Sequence, residues 1–177
     1  MGNRDEQALQ GSANMSVLVL GVGNMLLKDE GIGVRVVEEL EKRYEFPEGV
    51  DLLDGGTAGM ELLDTMAKRS CVILVDAVKT GAEPGTVVRL ADDEVPAFFR
   101  TKISPHQVGL SDVLATLTIT GEKPESVIVI GVVPKDLGTG LEMSAEIEQK
   151  MEEMIGLVVQ ELDAIGLPLK PRSASVH

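Results

Sequence analysis

Two histidines occur in the 177 residues, His106 within the run Ser104-Pro105-His106 and His177 at the last position. His177 ends a stretch without periodic pattern, so His106 is the one imidazole placed to do chemistry. Acidic residues stand where short apolar runs stop: Asp29 and Glu30 soon after 17–20, Asp54 after 50–53, and Asp76 after 72–75. One imidazole with two or three carboxylates is a donor set suited to a divalent transition metal. Each residue also has a plainer use. Glu30 can complement the positive end of a helix, Asp54 and Asp76 can bond backbone amides in turns, and His106 can sit exposed at a helix start. Taken together on one rim, they favour the metal site over the separate readings.

Other chemistries find less support. No G-x-S-x-G elbow and no H-E-x-x-H pair occur, and Cys71 opens a strand-like run away from the rim that holds His106. Gly21-Val22-Gly23 imitates a dinucleotide loop, but Leu26 stands where the third glycine belongs. The turn Gly55-Gly56-Thr57-Ala58-Gly59 could hold an anion in its backbone amides at a helix start. A non-proteolytic phosphate- or nucleotide-binding domain using that turn is therefore the competing reading, although it leaves His106 idle.

The elements that must position these residues alternate. Continuous apolar runs at 17–20, 72–75 and 127–133 predict buried strands, and 50–54, ahead of a glycine turn, predicts another strand. Residues 86–90, introduced by Pro84-Gly85, predict an edge strand with Arg89 facing out, and this piece can be antiparallel. Helical spacing runs from Ile32 through Leu40, over 60–68, from Ser104 to about Leu117, and over 144–165 as one long amphipathic helix. Ser104 and Pro105 suit the cap and first position of the third helix. His106→Ala should then leave no large cavity and cost only about 0.5 kcal/mol, as a surface change does. Strands alternating with helices imply an α/β fold with a mostly parallel sheet and right-handed connections. In such a sheet ligands bind beyond the carboxyl ends of the strands, where strand order reverses. That is the rim carrying Asp29, Glu30, Asp54, Asp76 and His106.

Bulk properties narrow the partners. The chain is long enough for one hydrophobic core, and with 2% aromatic residues and no Trp that core is aliphatic. A net charge of −13 opposes a nucleic-acid partner. One cysteine permits no internal disulfide, which points to a reducing compartment. No apolar run approaches the ~20 residues of a membrane span, and residues 1–15 lack the apolar stretch of a secretory signal. A cytoplasmic location follows by elimination. Met1-Gly2 invites myristoylation, but Glu6 stands where that motif takes Ser or Thr. The expected organisation is a flexible arm over 1–15, with Met15 a second possible start, one domain over 16–166, and a loose tail over 167–177.

At Gly21-Val22-Gly23-Asn24-Met25-Leu26-Leu27-Lys28-Asp29-Glu30-Gly31-Ile32-Gly33-Val34 the sequence resembles the opening motif of the hydrogenase maturation endopeptidases. The likeness continues at Asp54-Gly55-Gly56-Thr57-Ala58-Gly59-Met60-Glu61-Leu62-Leu63, at Val75-Asp76-Ala77-Val78 and from Ser104 to Leu114. The resemblance implies a single three-layer α/β/α domain with a twisted sheet of about five strands. It implies that Glu30, Asp76 and His106 bind nickel, Glu30 standing where some relatives carry Asp. The implied partner is a [NiFe]-type hydrogenase large-subunit precursor, which brings the nickel with it and loses its C-terminal extension. On this view the three residues test whether the precursor is loaded, and nickel assists the hydrolysis. Asp54 is the candidate for orienting or deprotonating the attacking water, and a monomer is expected. An adaptor that only docks on the hydrogenase would keep the partner and lack the cleavage.

Overall fold

The computed structural model describes residues 14–101 and 104–173. Strand β1 (Val17–Val22) is buried throughout, and its side chains alternate between two cores. Val17 and Val19 face one way, Leu18 and Leu20 the other. After a 3-10 turn (Lys28–Gly31) comes helix α1 (Ile32–Arg43), which buries Ile32, Val36, Val37 and Leu40. A two-residue strand β2 (Tyr44–Glu45) and strand β3 (Val50–Gly56) follow. A second 3-10 turn (Met60–Leu62) runs into one turn of helix α2 (Leu63–Met66), then strand β4 (Cys71–Ala77).

Strand β5 (Val87–Ala91), helix α3 (Glu94–Thr101), helix α4 (Pro105–Thr120) and strand β6 (Ser126–Val132) complete the centre. Helices α5 (Ala145–Glu148) and α6 (Met151–Ala164) and strand β7 (Lys170–Pro171) close the described chain. The five-stranded sheet has the order β3-β1-β4-β6-β5. All its pairs are parallel except β5 with β6, so the edge strand is antiparallel as its sequence allowed. Residues from α1, α5 and α6 pack on one face, and those from α2, α3 and α4 on the other. The architecture is the expected three-layer α/β/α domain.

From β1 the chain moves to β3 on one side and then to β4 on the other, so strand order reverses between β1 and β4. Helix α1 presses closely over that point. A Cβ at Gly33 would stand 2.1 Å from the Val75 carbonyl oxygen and 2.5 Å from that of Val22, so only glycine lets the helix start there.

Several expectations change. The long final helix is broken at Gln149–Lys150 into α5 and α6. Helix α3 occupies a stretch in which no element was expected. The tail beyond Gly166 is not loose over its first residues: Leu167 and Leu169 are buried, and Lys170–Pro171 pairs antiparallel with Tyr44–Glu45. Apolar burial and a backbone ladder fasten it to the end of α1. Most of the expected arm, and His177, lie outside the described residues.

Candidate active site

Each site residue is delivered by a different element. Asp76 is the sixth residue of β4, directly across the strand-order reversal from β1. Glu30 lies in the 3-10 turn after β1. Gly23 makes their approach possible. Its φ of +131° is a conformation that side chains avoid, and a Cβ there would stand 1.9 Å from the Glu30 carbonyl oxygen and 3.7 Å from Asp76 Oδ1. His106 is the second residue of α4.

His106 stands between the two carboxylates. Its Nδ1 lies 2.9 Å from Glu30 Oε1, and its Nε2 lies 3.0 Å from Asp76 Oδ2 and 3.2 Å from Asp76 Oδ1. The ring is only 4% exposed, which corrects the expectation of a partly exposed histidine at a helix start. Ser104 also departs from expectation. It occupies the N-cap position of α4 with extended backbone, but its hydroxyl makes no capping bond and lies 3.2 Å from His106 Nδ1 instead. A Ser104–His106–Asp76 chain has the look of a nucleophile with its base. Glu30, however, is nearer to the same ring nitrogen and competes for it.

Gln107 is the residue that sequence reasoning missed. Buried beside His106, it donates through Nε2 to Asp76 Oδ2 at 3.2 Å and to the Ala77 carbonyl at 3.3 Å. Its only signal is a place next to His106 in the first turn of a helix. Burial pushes the Asp76 carboxyl above its ordinary range, against the opposing pull of His106 and Gln107. For His106, burial disfavours the imidazolium, yet the hydrogen bond and charge of Asp76, joined by Glu30, outweigh it and raise the pKa. The cluster therefore retains a proton on the ring to higher pH than a free imidazole would.

The donors fit a nickel-type ion in kind, one imidazole and two carboxylates. Among the described residues, however, no three His, Cys, Asp or Glu side chains already form a metal cage. The ring separates Glu30 from Asp76, so sharing an ion requires it to release a proton and turn. A cleft opens on this cluster, lined by Glu30, Ala77, Lys79, His106, Pro134 and Leu137 among others.

Asp54 is not drawn into the cluster. It is exposed at the end of β3, level with Gly21 of β1, and its Oδ1 accepts the Gly56 amide at 2.9 Å. That bond is the turn-forming use its position suggested. Asp29 differs again: it is fully buried, with its carboxylate turned to the backbone of residues 135–144. Cys71, the first residue of β4, is buried and its thiol is pushed up to about 11, chiefly by burial, so it is no nucleophile at neutral pH.

Comparison with known proteins gives this site a family. The family model described as hydrogenase maturation protease matches residues 34–161. The chain is 49% identical over 161 residues to the hydrogenase 2 maturation protease of Escherichia coli K12, covering 90% of this chain and 98% of that one. It superposes on the hydrogenase maturating endopeptidase HybD from Escherichia coli with a TM-score of 0.88 at 50% identity, covering 91% of this chain and all of that one. A [NiFe] hydrogenase maturation protease HybD from Thermococcus kodakarensis gives a TM-score of 0.68 at 25% identity, covering 83% of this chain and 99% of that one. With a matched profile, a close relative aligned nearly end to end and a shared fold, the chain belongs to the hydrogenase maturation protease family.

Proposed function

We propose that this endopeptidase removes the C-terminal extension of a [NiFe]-type hydrogenase large-subunit precursor, reading the precursor's nickel with Glu30, Asp76 and His106. The observation that carries the reading is the buried imidazole held between two carboxylates beneath a cleft at the strand-order reversal. No reactive cysteine lies there, which favours hydrolysis by water over a thiolate route.

Charge explains how such a cluster could discriminate. In the metal-free protein the ring of His106 stands between the carboxyl groups of Glu30 and Asp76. A divalent ion beside a neutral ring would balance both carboxylates, so a loaded precursor is favoured over an empty one. Lewis acidity, polarising the scissile carbonyl or acidifying a water, is what the precursor's nickel supplies. His106 gives a ring nitrogen after losing its proton, Asp76 and Glu30 give carboxylate oxygens, and Gln107 keeps Asp76 oriented. To Asp54, exposed on the adjacent strand end, we assign the orientation of the attacking water. We place this action in the cytoplasm, with one protein molecule acting on one precursor; no helix among the described residues is long and apolar enough to cross a membrane.

The test is cleavage of the purified large-subunit precursor from the same organism, nickel-loaded or nickel-free, followed by mass spectrometry. The loaded precursor should shorten and the empty one should not. Equal cleavage of both would end the nickel-reading part of the proposal, and cleavage of neither would end the whole. Ser104→Ala should process at the wild-type rate; complete loss would favour the serine arrangement instead.

A further inference from the structure

We propose that Asp29 is a positioning residue for the cleft: it clasps the 134–144 loop to the turn bearing Glu30, and so sets the wall against which the precursor's tail lies. This rests on the function proposed above. Asp29 has no exposed surface, yet it is ionisable, and its carboxylate hydrogen-bonds to Lys135, Asp136 and Ser144 rather than to the three proposed ligands. Such a residue is costly to bury unless donors surround it. Here they do. Its Oδ2 accepts the Lys135 amide at 3.0 Å and the Asp136 amide at 2.7 Å, and its Oδ1 accepts the Ser144 amide at 2.7 Å. The Ser144 hydroxyl is 3.0 Å from Oδ1 and 2.8 Å from Oδ2. One carboxylate thus ties down both ends of a loop that has no helix or strand of its own beyond a single bridge, Leu27 with Gly140.

The backbone reinforces the join in both directions. The Asp29 amide donates to the Asp136 carbonyl at 3.1 Å, Lys28 donates to Gly140 at 3.0 Å, and Gly140 donates to Leu26 at 2.8 Å. Lys28 adopts a φ of 47°, unusual for a residue with a side chain, and its ammonium pairs with Asp136 Oδ2 at 2.7 Å. The contacts matter for function because of what each side carries. The turn carries Glu30, while the loop carries Pro134 and Leu137, and these three line the same cleft. An irregular loop takes its shape from its fastenings, so releasing Asp29 would move the wall relative to Glu30, His106 and Asp76.

Asp29→Asn preserves size but presents an amide N–H₂ to donors that need an acceptor. Three readouts decide the matter. In hydrogen exchange, the Lys135, Asp136 and Ser144 amides should lose protection while those of β1, β4 and β6 keep it. The KM for nickel-loaded precursor should rise about tenfold with kcat within about threefold of wild type, the signature of lost substrate binding. Ser144→Ala, which removes only the hydroxyl's bonds, should shift KM the same way by a smaller factor. A wild-type KM in Asp29→Asn, or an unchanged KM with a collapsed kcat, would overturn the proposal. If Asp29→Asn does not fold, Ser144→Ala decides alone, and a wild-type KM there overturns it. Failure of wild-type protein to cleave the precursor would sink the functional reading instead, and the exchange data would still report on the clasp.

Discussion

Two acidic turns sit side by side on the same rim, at the ends of paired strands, and they use their carboxylates in opposite ways. After β1, Asp29 is buried under backbone amides from residues far along the chain, and Glu30 reaches the ring of His106. Near the end of β3, Asp54 is exposed and bonds the amide two residues ahead of it, while Glu61 beyond the strand bonds the Gly59 amide in the same local fashion. The first turn is organised by distant segments folding over it, and the second is organised by itself. A carboxylate's proximity to a strand end therefore says little about its role. What decides it is whether another part of the chain arrives with donors or a cation.

Removing His106 should strain this contrast most. His106→Ala should abolish processing of nickel-loaded precursor. It should also destabilise the fold by about 3 kcal/mol, because Asp76 would be left buried without its charge partner. That exceeds the surface-type loss expected from sequence. A variant with wild-type cleavage and an unchanged denaturation midpoint would show that the first turn is no more organised than the second.

Asp54→Asn tests the other side with a smaller effect. The amide retains the oxygen that caps the turn, so stability should hold within about 0.5 kcal/mol. If the carboxylate orients water, kcat should still fall on the order of 10²-fold. An unaltered kcat would reduce Asp54 to a turn residue and leave all the chemistry with the first turn and its partners.

The smallest expected effect is on stability against pH in the metal-free protein. His106 has its pKa raised by folding, so its favourable contribution is complete below the unfolded value of about 6.5 and is lost as pH climbs through the folded value. Burial raises Asp76 as well, which works in the same direction. Thermal midpoints of wild type should therefore decline from pH 6 to 9 more steeply than those of His106→Gln. Parallel curves would mean that the imidazole is not held charged between its neighbours.

The sheet was legible in the sequence because buried parallel strands leave continuous aliphatic runs, as at Val17–Val22 and Cys71–Ala77. Strand ends and a helix start placed Glu30, Asp54, Asp76 and His106 on one rim, and the family resemblance singled out Glu30, Asp76 and His106 among them. What escaped notice depends on distant contacts. The burial of His106 requires Asp76 and Glu30 to close on it from other elements, and a histidine in a first helical turn looks exposed without them. The burial of Asp29 left no sign in the sequence because its partners Lys135 and Ser144 are remote along the chain. Helix α3 is short and contains Pro96, and the β2–β7 ribbon has two residues per strand, too few for any period to show.

The sheet order leaves β3 and β5 as its two open margins, and their charges bear on how copies of the protein meet in a crowded cell. An unpaired strand is a template on which another chain can add and begin an aggregate. On β3, Asp51 and Asp54 are exposed, with Asp51 drawing Arg69 to the same margin at 2.6 Å. On β5, exposed Arg89 is paired with Glu161. Bringing the β3 margins of two molecules together would set aspartates against aspartates, and docking on β5 would have to desolvate an ion pair. The same strand that carries Asp54 to the rim thus also opposes edge-to-edge pairing of two copies.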